Sequence, residues 1–559
     1  MSHPLFDRHK KTLHGALAAI RSRTYWSPYP EVPSGKIYGE TAKDEGMSAF
    51  HGRLHRRFEI DQPGTVGSVG AEASPFGMTL GVTYPQADLA VLLPAVIKAA
   101  DGWRKAGVEP RLGVCLEILD RLNKRSFELA AAIMHTTGQG FMMAFQAGGA
   151  HAQDRGLEAL AYAYEEMTRC PEHVTWKKQV SKTDVVVLHK NYRIVPRGVA
   201  LVIGCSTFPT WNGYPGLFAS LATGNAVVVK PHPGAILPLA ITVETARAVL
   251  KEQGFDANVV TLAADAADAP ITKDLALRPE VRIIDYTGGS AFGEWLERNA
   301  RQAVVFTEKA GVNSIILDSV DDLKAVTGNL AFSLCLYSGQ MCTTPQNIFI
   351  PAGGIRVGGE SKSFDEVARA IVGAVDWLLS DPRRGAEILG AIQNEATLKR
   401  IDEAAAAGGT VLRHSTPVAN EAFPEARVRS PLIVKTDAGA ESLYLREMFG
   451  PIVYVVATQS TEQSLALAAR AARDLGAITC ALYSTDQKVI DRAIDATAEA
   501  GVPLSCNFTG QVFVNQSAAF SDFHVSGANP AGNATLCDGA FIAGRFRVVH
   551  NRIPAPAEA

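Results

Sequence analysis

Short apolar runs that alternate with longer helical segments dominate the middle of the chain. Runs at 199–203, 226–229, 258–262, 281–286 and 303–306 are typical of buried strands, and 214–223 and 237–253 between them have helical spacing. Strands separated by helices of this length predict a parallel, doubly wound α/β sheet. Ligands of such sheets bind at the carboxyl ends of the strands, so we expect a site at that edge.

Helical periodicity also precedes this sheet and a second α/β pattern follows it. The segments 86–106, 111–137 and 151–167 predict helices that flank the sheet. After Gly311, strands are predicted at 314–317, 347–350 and 451–456, with helices at 363–379 and 398–407. The chain therefore divides into at least two α/β regions.

Two further segments predict exposed β-structure. The β-rich runs 184–188 and 192–195, joined by His189-Lys190-Asn191, predict a hairpin. The tail 545–553 alternates apolar and polar residues, which is typical of an edge strand. We expect this strand to pair with the hairpin of another subunit, in a homodimer or homotetramer.

Composition narrows the class of protein. With 559 residues, 47% hydrophobic and 20% charged, the chain is expected to be a soluble protein of several domains. A net charge of −3 gives no reason to expect nucleic acid or an anionic membrane as a partner. The eight cysteines form no C-x-x-C pair, which predicts no disulfide framework and no metal site. Because no apolar run is long enough for a membrane span or a signal sequence, we expect a cytoplasmic protein.

Candidate chemistry begins at Gly339-Gln340-Met341-Cys342, where a glycine turn presents a thiol. Most free cysteines are structural, so this segment alone indicates little. Other segments support it when taken in order: Ile203-Gly204-Cys205-Ser206-Thr207-Phe208-Pro209, Lys230-Pro231, Thr287-Gly288-Gly289-Ser290, Thr307-Glu308-Lys309-Ala310-Gly311 and Glu447-Met448-Phe449-Gly450-Pro451. This succession, with 34 positions from Glu308 to Cys342, resembles the aldehyde dehydrogenase superfamily from about residue 70 to the C-terminus.

The resemblance implies an NAD(P)-dependent oxidation of an aldehyde to an acid. Cys342 would be the nucleophile that forms a thiohemiacetal and then a thioester, and Glu308 would be the general base for hydrolysis. Separate positions for these groups make chemical sense, since a carboxylate too close to the thiol raises its pKa. The cofactor-binding residues that the resemblance implies are Ile203, Lys230, Gly288, Gly289, Glu447 and Phe449. The two glycines would lie at a helix start, where the pyrophosphate can approach the backbone.

The resemblance also implies a division into domains. We expect an N-terminal extension over 1–70, a dinucleotide-binding domain over 71–180 and 197–310, and a catalytic domain over 311–520. The segments 181–196 and 521–559 would form the oligomerisation arm and the C-terminal segment.

Two positions and one stretch depart from the family pattern. Thr207 stands where the family has an oxyanion-binding asparagine, with Asn212 and the Cys342 backbone N–H as alternative donors. Pro233 stands where NAD-preferring members commonly have a glutamate, and with Lys230 nearby this favours NADP over NAD. The stretch 261–270 lacks the usual glycine-rich turn.

Within the superfamily, the extension and the motif variants resemble PaaN-type proteins of phenylacetate degradation, a branch related to the dehydrogenase half of PaaZ. This resemblance implies a small CoA-linked semialdehyde as substrate and no additional hydratase domain. Two alternatives remain: CoA-acylating chemistry, or acyl-CoA reduction, and an assembly protein that keeps the fold with weak catalysis.

Overall fold

Two large sheets organise the protein in a computed structural model, which describes residues 3–309 and 311–555. The helices are α1 Pro4–Ser22, α2 Gly35–Tyr38, α3 Ala42–His51, α4 Leu89–Lys105, α5 Val108–Lys124, α6 Ser126–Thr137, α7 Phe141–Phe145, α8 Ala152–Thr168, α9 Pro209–Ala222, α10 Leu237–Glu252, α11 Thr272–Leu277, α12 Ser290–Asn299, α13 Leu323–Cys335, α14 Phe364–Leu378, α15 Pro382–Leu389, α16 Glu395–Ala406, α17 Glu441–Tyr444, α18 Thr461–Leu475, α19 Gln487–Glu499 and α20 Gly539–Ala543.

The strands follow the same order along the chain. They are β1 Thr65–Val69, β2 Tyr84–Ala87, β3 His173–Gln179, β4 Val185–Pro196, β5 Val199–Ile203, β6 Ala226–Lys230, β7 Val260–Leu262, β8 Val281–Gly288, β9 Val304–Lys309, β10 Ser314–Leu317, β11 Ser319–Val320, β12 Asn347–Pro351, β13 Ile355–Val357, β14 Glu360–Lys362, β15 Thr410–Arg413, β16 Leu432–Asp437, β17 Ile452–Thr458, β18 Cys480–Tyr483, β19 Leu504–Cys506 and β20 Phe546–Pro554.

The first sheet is parallel and has the order β7-β6-β5-β8-β9. Its central strands β5 and β6 are buried along their whole length, as expected for strands covered by helices on both faces. The predicted doubly wound α/β fold is therefore confirmed. Ile203, Lys230 and Gly288 end neighbouring strands and lie at one edge of this sheet.

The second sheet has the order β15-β16-β17-β12-β10-β18-β19, with only the edge pair β15 and β16 antiparallel among its pairs. Its strands β10, β12 and β17 supply the buried residues Ile315, Ile348 and Val455 to a core that α13 and α14 cover. Cys342 lies in the loop between α13 and β12. The thiol therefore comes from a loop of the second sheet and lies near the edge of the first sheet at which its strands end.

The predicted hairpin over 184–195 is wrong. The structure has one long strand, β4, which pairs with β3 on one side and with β20 on the other. His189-Lys190-Asn191 contains no glycine or proline to reverse the chain, and the reversal occurs at 180–184, where the Val180 N–H donates to the Asp184 carbonyl. The tail strand β20 pairs with β4 of its own chain, so pairing with another subunit's hairpin is not needed to complete this sheet.

One helical feature differs from the sequence prediction, and helix α1 was not predicted at all. The single helix expected over 111–137 is two helices, α5 and α6, which separate at Arg125. Within the N-terminal extension, α1 buries Leu5, Phe6, Leu13 and Leu17 in the same hydrophobic core as α5 and α8. Among the described residues, no helix has the length and apolarity needed to cross a membrane.

Candidate active site

The loop that carries Cys342 begins with an unusual backbone turn. Tyr337, Ser338 and Gly339 have φ values of 52°, 47° and 64°, a left-handed conformation that costs free energy for residues other than glycine. A Cβ at Gly339 would lie 2.4 Å from the Gly450 carbonyl oxygen, so only glycine fits there. The Ser338 hydroxyl lies 3.0 and 2.9 Å from the carbonyl oxygens of Leu389 and Arg429, and its hydrogen bond to them stabilises the turn.

Asn313 fixes the other end of this loop. Its Nδ2 donates to the carbonyl oxygens of Cys342 at 2.7 Å and Thr344 at 3.0 Å, and its Oδ1 accepts from the backbone of Ile478 at 2.8 Å. A turn of low conformational freedom on one side and a buried amide on the other therefore hold the thiol in place. Cys342 itself remains partly accessible.

Glu308, near the end of β9, lies beside this thiol. Its side chain is 2% exposed, and its Oε2 accepts from Asn212 Nδ2 at 2.9 Å. A carboxylate oxygen of Glu308, the Cys342 sulfur and an imidazole nitrogen of His524 lie within 4.8 Å of one another. The structure thus brings together the two residues on which the sequence interpretation depends. Ala310 of the same motif lies outside the described residues.

His524 is a site residue that the sequence analysis missed. Its Nε2 lies 2.9 Å from Glu308 Oε1 and 3.7 Å from Cys342 Sγ, and its side chain is 2% exposed. It comes from a C-terminal segment without regular secondary structure, and its backbone pairs with Leu536 through two hydrogen bonds. No local motif surrounds His524 in the sequence, so only the three-dimensional structure could reveal this contact.

Burial and the neighbouring charges set the ionisation of the group. Burial, and then the charge of Glu308, raise the pKa of the Cys342 thiol well above its usual value. Burial opposes ionisation of Glu308 too, but His524, Cys342 and Asn212 together hold the pKa of Glu308 below its usual value. The resting pair is therefore a carboxylate next to a neutral thiol.

Thr207 and Asn212, the two side chains considered as oxyanion donors, both contact Cys205. Asn212 Oδ1 accepts from the Cys205 thiol at 3.6 Å while its Nδ2 donates to Glu308. Burial raises the pKa of Cys205 to about 11, and hydrogen bonds from Phe208 and Thr207 oppose that rise. The Asn212 amide therefore connects the Cys205 thiol to the Glu308 carboxylate, and its Nδ2 carries a second hydrogen besides the one that bonds Glu308.

Lys230 ends β6 with a buried charge. Its Nζ lies 2.7 Å from Asp265 Oδ1 and donates to the Pro231 carbonyl at 2.8 Å, and both side chains of the pair are at most 3% exposed. Burial lowers the pKa of Lys230, and Asp265 opposes this effect. The ammonium group at this edge is thus already neutralised by a carboxylate.

The two glycines of the Thr-Gly-Gly-Ser motif have different surroundings. Gly288 ends β8, and a Cβ there would lie 2.4 Å from the Tyr286 hydroxyl oxygen. Gly289 is the N-cap of α12, and a Cβ there would meet nothing within 4 Å. Gly289 is exposed, so a ligand can approach this helix start, and helix starts favour phosphate groups.

Glu447 and Phe449 line one cavity together with Cys342. Burial raises the pKa of Glu447 to about 7, with Arg400 opposing the rise. Arg400 also donates to the Phe449 carbonyl oxygen at 2.6 Å and holds this loop. A second cavity is lined by Ile203 and Glu308. Three of the six predicted cofactor residues, Ile203, Glu447 and Phe449, therefore line cavities that Cys342 or Glu308 also lines.

An oxygen, a sulfur and a nitrogen within 4.8 Å of one another are also compatible with a bound transition-metal ion. A metal would occupy the sulfur lone pair that a nucleophile needs. We therefore interpret Glu308, Cys342 and His524 as a catalytic cluster, and the absence of a metal site stays a prediction.

Comparison with known proteins gives consistent results. Residues 79–534 match the model of the aldehyde dehydrogenase family. The crystal structure of an NAD-dependent aldehyde dehydrogenase from Burkholderia multivorans is 56% identical over the full length of both chains, with a TM-score of 0.98.

More distant relatives have narrower descriptions. An N-succinylglutamate 5-semialdehyde dehydrogenase from Chromobacterium violaceum is 27% identical over 413 residues, which cover 71% of this chain and 77% of the relative. A 1-pyrroline-5-carboxylate dehydrogenase from Bacillus subtilis is 23% identical over 456 residues, which cover 78% and 81% of the two chains.

Proposed function

Because this chain belongs to the aldehyde dehydrogenase family, we propose that it oxidises an aldehyde to a carboxylic acid through a thioester on Cys342. The observation that carries the proposal is the contact between a partly accessible thiol, held in a rigid loop, and a buried carboxylate. These are the groups needed for nucleophilic attack and for hydrolysis.

The chain's own residues divide the reaction between them. The Cys342 sulfur, as a thiolate, forms a C–S bond to the aldehyde carbon, and the carbonyl oxygen becomes an alkoxide. The backbone N–H of Cys342, Asn212 and Thr207 are the donors proposed to stabilise this alkoxide. When bound, NAD supplies the acceptor for the hydride that leaves the same carbon. Glu308 first takes the proton of the Cys342 thiol and passes it to solvent. As a carboxylate again, it takes a proton from water, which attacks the thioester and releases the acid and the Cys342 thiolate.

The cofactor proposed for this site is NAD, with NADP as the second choice. The open helix start at Gly289 fits a pyrophosphate, and Glu447 lines the cavity beside Cys342, where it can accept hydrogen bonds from ribose hydroxyls. The sequence favoured NADP because Pro233 replaces a glutamate and Lys230 is nearby, but the pairing of Lys230 with Asp265 removes the free charge that would attract a 2′-phosphate. The relative at 56% identity is also described as NAD-dependent.

The substrate class proposed is a semialdehyde that carries an acidic or CoA-linked group. The N-succinylglutamate 5-semialdehyde dehydrogenases support the acidic semialdehyde, and the motif variants of the PaaN-type branch support the CoA-linked one. The relatives with these narrower descriptions are below 30% identity, which does not decide between the two substrates, so one assay compares both.

The assay measures NADH formation with acidic semialdehydes, CoA-linked semialdehydes and simple aliphatic aldehydes. We expect turnover with wild-type protein, none with Cys342→Ala, and an acyl-enzyme that accumulates on Glu308→Gln and is visible by intact-protein mass spectrometry. Turnover that survives the cysteine substitution would contradict the assignment of the nucleophile.

Product analysis separates hydrolysis from acyl transfer to CoA. With Glu308 as base, the free acid is expected whether or not free CoA is present. Formation of acyl-CoA in proportion to added CoA would favour the acylating reaction instead. If calorimetry detected no binding of NAD and none of NADP, this result would favour the assembly-protein alternative.

A further inference from the structure

One imidazole nitrogen faces both of the groups that react. His524 Nε2 is 2.9 Å from Glu308 Oε1, a full hydrogen-bond contact, and 3.7 Å from Cys342 Sγ, within the longer range of hydrogen bonds to sulfur. Because Glu308 is a carboxylate that can only accept at this oxygen, Nε2 must carry the proton of this contact. The same N–H therefore lies within reach of the sulfur.

Resting on the proposed role of Cys342 as nucleophile, we infer that His524 is a catalytic residue whose Nε2–H donates to Glu308 in the resting enzyme and to the Cys342 sulfur once it is a thiolate. The S–H bond breaks and its proton forms an O–H bond with the Glu308 carboxylate, so the negative charge moves to sulfur without any change in oxidation state. The neutral acid is then the weaker acceptor, and the N–H turns to the thiolate.

The surroundings of the imidazole hold it in the required orientation. The ring packs against Trp211 at a steep angle, with 4.5 Å between ring centroids and 75° between planes, and Nδ1 lies 3.5 Å from the Ser517 hydroxyl oxygen. The backbone of His524 pairs with Leu536 on both sides of the residue. Only a small rotation of the side chain is then needed to exchange the carboxylate for the sulfur.

The other charged and ionisable groups near the pair are few. Glu308 approaches from β9, and Cys205 lies close enough to Cys342 to disfavour its ionisation. The Arg155 guanidinium stacks 5.0 Å from the centroid of the Trp211 ring and is paired with Glu158 at 2.7 Å. Among the described groups in contact with the Cys342 sulfur, His524 is thus the one whose basic side chain can donate an N–H hydrogen bond to it.

The test follows the reactivity of the Cys342 thiol in the cofactor-free enzyme with iodoacetamide, at pH values from 6 to 10 and with EDTA present. Cys342→Ala provides the background of the other seven cysteines. His524→Leu removes the donor, and the amide of His524→Asn is too short to reach the sulfur. We expect both variants to slow alkylation at pH 8 about tenfold. The midpoint of the pH profile of alkylation should rise by about one pH unit, which corresponds to the same tenfold change. His524→Gln, whose amide reaches the position of Nε2, should stay within about threefold of wild type.

A matched control is the His151–Glu31 pair, with a contact of 2.7 Å on a partly exposed surface, where His151→Leu should leave the profile unchanged. Thermal unfolding identifies any variant that fails to fold, and the asparagine and glutamine variants keep the comparison decisive if the leucine variant does fail. Profiles of the asparagine and leucine variants that match wild type would overturn the inference and leave His524 a packing residue. Alkylation needs no aldehyde, so failure of the proposed oxidation is detected separately.

Discussion

At the scale of single residues, the charge of Glu447 links cofactor binding to pH. Burial places the pKa of its carboxyl at about 7, so the group is largely protonated below neutrality and ionised above it. An ionised carboxylate accepts stronger hydrogen bonds from ribose hydroxyls than a neutral acid does. We therefore expect the proposed site to bind NAD more tightly as pH rises through 7.

Calorimetric titration with NAD should show this directly. We expect the Kd of the wild-type protein to fall about tenfold between pH 6 and pH 8, the equivalent of about 1.4 kcal/mol from one charge-assisted hydrogen bond. Glu447→Gln should bind more weakly at pH 8 and lose most of this pH dependence. A wild-type Kd that is constant over the same range would contradict the assignment of Glu447 to the ribose.

The Lys230–Asp265 pair gives a prediction about the choice of cofactor. Asp265→Asn removes the carboxylate that neutralises Lys230 but keeps an oxygen to accept from the Ile271 N–H, now bound at 3.0 Å by Oδ2. The freed ammonium should attract a 2′-phosphate, so the ratio of kcat/KM for NADP to that for NAD should rise about tenfold or more. The exposed Asp268→Asn serves as control, and an unchanged ratio in Asp265→Asn would place the adenosine ribose elsewhere.

At the scale of elements, helix α1 contributes to the core and not only to the surface. Leu13 is fully buried against the core that α5 and α8 share, whereas the next residue, His14, is exposed. Removal of a buried leucine side chain leaves a cavity and typically costs about 2–5 kcal/mol. We expect Leu13→Ala to lower Tm by several degrees and His14→Ala to leave it nearly unchanged, as measured by calorimetry. Equal Tm values for the two variants would mean that α1 is dispensable.

The alternation of strands and helices was sufficient to predict the first sheet, because a buried parallel strand is a continuous apolar run. β5 lies where the sequence placed it, and β8 and β9 extend only two or three residues further. The prediction failed for β4, whose middle residues are polar because that sheet is exposed on both faces. Periodicity detects a strand through the core it contacts, so it is weakest where no core exists.

The candidate site was predictable only as far as its motifs extended. Cys342 and Glu308 stand in recognisable segments, and the structure places them in contact. His524 and Asp265 have no such segment: each is a single polar residue whose partner is distant in sequence, 216 positions away in the case of Glu308 and His524. Pairings of this kind depend on how the sheets are brought together, which no local pattern encodes.

At the scale of the whole molecule, the C-terminal segment completes the site by joining the two sheets. Its Ala531 carbonyl accepts from the Lys309 N–H at 2.5 Å, and Asn529 bonds the backbone of Ala477, next to β18. Further along, Arg545 is fully buried and donates to Asp285 of β8 at 2.8 Å. The segment that supplies His524 is thus anchored to both halves of the catalytic cluster.

The sheet of β3, β4 and β20 leads to a prediction about assembly. It stands apart from the core, with exposed apolar residues that include Val549 and Ile553 on one face of β20, at 55% exposure each. In the described part of the chain, its two outer strands β3 and β20 each pair with β4 alone, and edge strands of this kind favour association with a second copy of the chain. We propose that this sheet forms the contact of a homodimer or homotetramer.

Light scattering coupled to size-exclusion chromatography tests this proposal. Val549→Glu combined with Ile553→Glu places two like charges in the proposed contact, where burial without a partner costs several kcal/mol, so the assembly should dissociate to monomers at micromolar concentration. As a control, Ile494→Glu combined with Val512→Glu changes two exposed apolar residues outside this sheet, at 50% and 53% exposure, and should leave the mass unchanged. A wild-type protein that is already monomeric, or a double variant that keeps the wild-type mass, would exclude this sheet as the contact.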